Sequence, residues 1–347
     1  MLQVAGPLVT ASMYAKDRPK VVTIGGGHGQ ATLLSALRPL PCDITAIVSV
    51  ADDGGCSGKL RRDLGMPPPG DLRRCLSTLA RDRGLAEKFE LRLFEPGQEG
   101  RSAGNLALSE AFREYGSLQK AVDWAADLLH CAGRVVPVAE SPGVLVVYDL
   151  RDGRVEGETH VEDVSSPMAA MVHGPTQTNP VAFEAIRDAD YVLMGPGSFF
   201  TSTLATVTTA NVAESLVQTR APKVLIANLT DEGRQTRGFG VHDYVRLLRD
   251  HLTIASMGGD VELSVLMHGD QGDEVSVLSD GTPCMVARVA LPGEKVHDPV
   301  LLSGALVRLL GLPPRVQPGS MPPPSNDAGV KAFQERLTAA RKRLRGE

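Results

Sequence analysis

The sequence predicts an α/β protein with a doubly wound, mainly parallel sheet, and three observations carry that prediction. Short β-rich runs alternate with helical patterns over most of the chain, the rhythm of βαβ units. Several of those runs end in glycine-rich or hydroxyl-rich turns, as ligand loops do at the carboxyl edge of an open sheet. A chain of 347 residues, 42% of them hydrophobic, also has material for one large core.

The alternation begins with "KVVTI" before a helix over 30–37, then "DITAIVSV" before a helix over 71–81. Helical patterns over 105–115 and 117–130 lead into the strand "RVVPV". "GVLVVYDLRDGRVEGETHV" reads as two strands around an Asp152-Gly153 turn, a β-hairpin excursion from a parallel plan. The rhythm resumes with "ADYVLM", a helix over 201–218, "PKVLI", a helix near 242–251 and "VELSVLM". A proline-rich segment over 313–326 then reads as a linker, and 327–347 as a helix with Val330, Phe333, Leu337 and Leu344 on one stripe. Residues 1–18 read as a flexible tail, and 19–312 as one doubly wound domain.

The formal charge of -5 argues against a general nucleic-acid coat or an anionic-membrane binder. The five cysteines are scattered without zinc spacing, which suits reduced thiols in a cytoplasmic protein. No apolar run approaches the roughly 18 to 20 residues that span a bilayer, and the start lacks the pattern of a secretory signal.

The chemistry is expected in the turns. Gly25, Gly26, Gly27, His28 and Gly29 follow the first strand, where backbone amides can approach a phosphate at a helix N-terminus. The dinucleotide pattern G-x-G-x-x-G/A fails there, because Gln30 or Thr32 falls in its last slot. The P-loop pattern fails too. His28 suits either a phosphate contact or a helix cap. Asp52 and Asp53 leave the second strand and suit a magnesium ion, a ribose or a general base. Gly54, Gly55, Ser57 and Lys59 continue into a loop fit for a diphosphate. Gly70 and Asp71 open the next helix, with Asp71 either its N-cap or, with Asp53, a metal ligand. Arg73 and Arg74 sit in a first turn, where the dipole disfavours cations unless an anion is near. Asn105 is a polar helix opener; Gly195, Gly197, Ser198 and Thr201 form a third turn, and Asn228 and Thr230 a fourth.

Together, "IGGGHG", "VSVADDGGCSGKLR", "PPGDLRRCLSTLA", "GNLAL", "ADYVLMGPGSFFTS" and "ANLTDEG" resemble, in this order, the YvcK-like gluconeogenesis factors, relatives of the 2-phospho-L-lactate transferase CofD. The resemblance covers about residues 20 to 270. It implies a three-layer CofD-like Rossmannoid fold that binds a UDP-sugar such as UDP-N-acetylglucosamine, with no required cofactor. It further implies a role in gluconeogenic growth, cell shape and cell-wall synthesis, through a protein partner yet to be identified. A homodimer is a further expectation; nucleic acid and membrane insertion are not expected. The sequence departs from the family pattern at His28, Cys56, Phe199-Phe200 and Gln235.

Two functions of different class follow. One is a nucleotide-sugar-binding regulator without established catalysis. The other is a magnesium-assisted transferase that moves a phospholactyl-type group from a nucleotide diphosphate to a deazaflavin alcohol. An interaction scaffold and a nicotinamide dehydrogenase rank below both.

Overall fold

The structure is a computed structural model that describes residues 18–53, 66–94, 100–174, 177–231, 233–259, 261–271, 273–312 and 327–344. Its first strand, β1 (Lys20–Gly25), is buried at every position after Lys20. Such a continuous apolar run belongs at the centre of a sheet covered on both faces. It leads into α1 (Gly27–Leu37), β2 (Asp43–Val48), α2 (Gly70–Leu79) and α3 (Arg83–Glu90). A short ribbon, β3 (Arg92–Leu93) and β4 (Arg101–Ser102), precedes α4 (Ala103–Tyr115), α5 (Leu118–Leu128) and β5 (Arg134–Pro137).

The excursion comes next: β6 (Val144–Asp149), β7 (Gly153–Glu156), the short α6 (Glu158–Val161) and β8 (Pro167–His173). The main fold returns with α7 (Pro180–Arg187), β9 (Tyr191–Met194), a π-helical turn (Phe199–Leu204), α8 (Ala205–Val207) and α9 (Val212–Gln218). It continues through β10 (Lys223–Ile226), α10 (Val241–Ala255), β11 (Ser264–His268), β12 (Glu274–Val277), β13 (Pro283–Ala287) and α11 (Pro299–Leu309). The last helix, α12, spans Asp327–Leu344.

The main sheet has eight strands in the order β12-β13-β11-β10-β9-β1-β2-β5. Every pair is parallel except β12 with β13. The chain winds outward from β1 through β2 to β5, then crosses back to β9 on the other side of β1 and winds the opposite way. That reversal defines a switch point between β1 and β9, where an open sheet leaves a crevice at its carboxyl edge. Ile24 is paired with Met194 there, and the Gly195 N–H donates to the Ile24 carbonyl at 3.1 Å.

The antiparallel excursion is larger than a hairpin. β6 pairs with β7 around the expected turn and with β8 on its other side, giving a separate three-stranded sheet. The Gly143 N–H donates to the Val50 carbonyl at 3.1 Å, so this sheet departs from just beyond the end of β2.

Other expectations need correction. The second hairpin strand stops at Glu156, and the positive φ of Gly157 (87°) turns the chain into α6. The helix expected over 201–218 is broken between Thr208 and Asn211. The Thr206, Thr208 and Thr209 hydroxyls donate to the carbonyls four residues back at 2.7–2.8 Å, and such back-bonding weakens a helical ladder. Asn105 does not open its helix: Ser102 caps α4, accepting from the Asn105 N–H at 3.3 Å. Nor is Asp71 the cap of its own helix, which begins at Pro69 and Gly70 without a side-chain cap. The elements α3, α7, β12, β13 and α11 were not foreseen from the sequence.

The linker over 313–326 lies outside the described residues; the terminal helix packs against the rest of the chain through its apolar stripe. Phe333 is 3% exposed and stacks on Phe89 with ring centroids 4.7 Å apart, while Val330 and Leu337 pack on the same core. Arg336 lies over the Trp124 ring at 4.3 Å and donates to Glu114 at 2.7 Å. Leu344 lies at the end of the helix, its side chain outside what the structure describes. Truncating Phe333 to Ala is expected to lower the unfolding free energy by about 3 kcal/mol. Lys331→Ala, on the exposed face, changes it by less than about 0.5 kcal/mol. Chemical denaturation of the full chain checks both.

Candidate functional site

The switch point is filled by glycine because nothing larger fits. A Cβ on Gly29, in the first turn of α1, would overlap the Pro196 carbonyl oxygen and the Gly197 Cα. Gly197 itself has φ 121°, which L side chains rarely adopt. The first and third glycine turns are thus in direct backbone contact. Asn228 holds the third turn in place: its amide accepts from the Gly197 N–H at 3.1 Å and donates to the Gly197 carbonyl at 3.0 Å.

Around this contact lies a cleft of about 750 Å³. Of the expected residues, Gly26, Gly27, His28, Gly29, Asp52, Asp71, Gly197, Ser198 and Thr201 line it. Gly25 closes the strand beneath and Gly70 opens α2 behind Asp71. Asn105 is buried elsewhere: it joins Ser102 and Glu90 in satisfying Arg73, whose guanidinium is bound at 2.7–3.1 Å on three sides. That network, not an anion in the cleft, explains a cation in the first turn of α2. Gly195 and Asn228 support the third turn from outside the cleft, and Thr230 is exposed away from its lining. Gly54, Gly55, Ser57 and Lys59 lie outside the described residues.

Asp53 is not among the residues that line the cleft. Its carboxylate accepts from the Thr159 N–H at 3.2 Å and lies against Gly157, so it caps α6 of the excursion. The carboxylate beside Asp71 is that of Asp52. Asp71 caps α1 across space, accepting from the Gly27 N–H at 2.7 Å, and its other oxygen accepts from Arg74 at 3.2 Å. Gly26 lacks a side chain for the same reason, since a Cβ there would lie 2.5 Å from Asp71 Oδ2.

The sequence reading missed Glu158, Glu162 and Asp163 in the lining. Glu158 enters because α6 swings over the sheet edge, and it hydrogen-bonds Asp52 and Thr201. Burial first, then Asp52, raises its pKa far above the ordinary carboxylate value of 4.5. Burial and Asp52 also raise that of Asp71, against the opposing pull of Arg74. Arg74 and partial burial lower that of His28, so the imidazole is neutral at pH 7. Across the mouth, Arg234 and Asp163 approach to 3.8 Å, both well exposed. The cleft therefore combines open helix N-terminal amides with the raised acid Glu158, four further carboxylates (Asp52, Asp71, Glu162 and Asp163) and the guanidiniums of Arg74 and Arg234.

Residues 21–277 match the family described as 2-phospho-L-lactate transferase CofD. A Halalkalibacterium halodurans protein described as a gluconeogenesis factor is 34% identical over 258 residues, 73% of this chain and 78% of its own length. The chain belongs to the gluconeogenesis factor family. A similarly described Nostoc relative of this family is 38% identical over 235 residues, 66% of this chain, but the match spans only about half of that relative (51%). A crystal structure of a Bacillus halodurans protein superposes with a TM-score of 0.75 at 28% identity, covering 84% of this chain and all of the other (100%). That solved structure thus shares the fold described above. Among the described residues, no helix is long and apolar enough to cross a membrane.

Two outcomes test this geometry. Gly29→Ala forces the two loops apart and is expected to cost about 1–3 kcal/mol; Asp71→Ala removes a cap and costs about 1 kcal/mol, which Asp71→Asn largely retains. Denaturation curves rank the three. For Glu158 the folded value lies above the unfolded one, so the folded protein holds the extra proton and stability falls as pH rises above the unfolded value. Glu158→Gln should flatten that fall between about pH 5 and 8. Parallel wild-type and variant curves contradict it.

Proposed function

We propose that this gluconeogenesis factor binds a nucleotide sugar, UDP-N-acetylglucosamine or a close relative, and regulates gluconeogenic growth, cell shape and cell-wall synthesis through a protein partner that senses the bound form. The supporting observation is the direct contact of two glycine turns at one switch point, opening on a cleft of about 750 Å³. That volume lies within the range of about 300 to 1,000 Å³ typical of small-molecule sites.

In this reading the diphosphate lies on the first turn of α1, where the His28 and Gly29 amides precede the intrahelical ladder. Arg74 stands beside it. The uridine and the sugar reach over Ser198, Thr201 and Ser202 on one side and Gly233 to Gln235 on the other. Neutral Glu158 donates its proton to a ligand hydroxyl or to Asp52.

Asp52, Asp71 and Glu158 would repel a diphosphate if all were ionised. A magnesium ion suits the Asp52 and Asp71 oxygens, since it is commonly held by one or two carboxylates together with ligand phosphates. Among the described residues no group of three or more acidic, histidine or cysteine side chains is arranged to hold a metal alone. Magnesium would therefore enter with the ligand and supply charge neutralisation.

The same carboxylates favour a second reading, a phosphoryl-type transferase acting on a nucleotide-diphosphate-linked donor. Product from a deazaflavin alcohol and such a donor supports it; none formed removes it.

UDP-N-acetylglucosamine is expected to stabilise the chain by about 2.7 kcal/mol at 100 times its Kd. Without magnesium its affinity should fall as pH rises, because ligand binding takes up protons on the raised acids Glu158 and Asp71. Arg74→Ala should weaken it at least about tenfold, the loss expected of a charge-assisted contact. Calorimetry measures all three, and no binding of any UDP-sugar at millimolar concentration refutes the reading.

A further inference from the structure

Arg74 belongs to two walls. Behind the cleft, the groove between α1 and α2 holds a second depression of about 400 Å³, lined by Ser35, Arg38, Arg74, Ser77, Arg83 and Glu90 among others. We propose that this groove is a second oxyanion site, taking a phosphate group on the Arg38 and Arg83 guanidiniums and the Ser77 hydroxyl.

The arginines have a structural role that accounts for part of their donors. Arg38 Nη1 donates to the Thr78 and Ala80 carbonyls, both at 3.2 Å, and Arg83 Nη1 to the Ser77 carbonyl at 3.2 Å. These are the last carbonyls of α2 and just beyond, where a cation is favoured. A guanidinium has five N–H donors, so most of each fork is left for another acceptor.

The charge is not matched from within. Among the described residues neither Arg38 nor Arg83 has a carboxylate partner. Burial, then Arg83 and Arg81, lowers the Arg38 pKa, the mark of cations crowded together. Glu90, the acid in the lining, is paired with Arg73 at 3.0 Å. A separate observation points to a missing acceptor. Ser77 is 8% exposed and its Oγ has no hydrogen-bond partner, although a serine inside a helix can bond to the carbonyl four residues back. Two guanidinium forks without a carboxylate partner and an unpartnered buried hydroxyl in one groove match the acceptor-rich surface of a phosphate.

The phosphate has two sources: a further phosphate on the cleft ligand, reaching past Arg74, or a separate phosphorylated metabolite. Titration of the full chain with inorganic pyrophosphate by calorimetry, with the cleft filled by saturating UDP-N-acetylglucosamine and against chloride at equal ionic strength, is the test. The wild type is expected to bind, and Arg38→Gln with Arg83→Gln to weaken it at least tenfold while circular dichroism stays unchanged. Ser77→Ala weakens it severalfold. If the double variant does not fold, Arg83→Lys alone, which keeps the charge and loses the fork, should still weaken binding. Equal pyrophosphate affinity in wild type and variants, or none above the chloride control in the wild type, overturns the proposal. A loss of uridine triphosphate affinity in the double variant, with UDP-N-acetylglucosamine affinity unchanged, assigns the phosphate to a further phosphate on the cleft ligand; unchanged affinity for both assigns it to a separate metabolite. Failure of all UDP-sugar binding would refute the cleft reading and leave the pyrophosphate result standing.

Discussion

The architecture rests on one close approach, the backbone contact between Gly29 in the first turn of α1 and Gly197 in the turn after β9. Parallel winding away from β1 in two directions makes that place a crevice, and the absence of Cβ atoms lets the two turns meet in it. Everything that follows depends on the contact: the amides of α1 open into the cleft, the π-helical turn supplies its hydroxyls, and Asn228 clamps the joint. A side chain at Gly29 would separate the loops and with them the two halves of the site.

Charge in the cleft is organised by long-range caps. Asp71 satisfies the first N–H of α1, and Asp53 satisfies an N–H of α6, so each of these acids has a structural role at a helix end distant in sequence. Burial first, and Asp52 beside it second, raise the Glu158 pKa so that it carries a proton at neutral pH. The result is a site with donors facing inward despite its acidic lining, and such a site favours ligands with both phosphates and hydroxyls.

Much of the fold was legible in the sequence, for reasons that are physical. Central strands such as "VVTI" and "YVLM" are continuous apolar runs, and glycine loops at their ends follow from the close approaches they permit. The loops that meet were legible as ligand turns, but their meeting was not, because strand order is a tertiary property. Asp71 illustrates the limit: its position suggests a cap for its own helix, while the helix it caps lies 44 residues away in sequence. Arg73 and Arg74 are adjacent and alike in sequence, yet one is buried among Glu90, Ser102 and Asn105 and the other faces the cleft. Glu158 was hidden because the hairpin pattern ran through it; the glycine before it, with its positive φ, was the available signal.

The most direct measurement is a crystal structure of the chain with UDP-N-acetylglucosamine. The account predicts the diphosphate within hydrogen-bond distance of the His28 and Gly29 amides, beside Arg74, with the Gly29–Gly197 contact intact. A diphosphate bound elsewhere, or loops parted to admit it, would contradict the account.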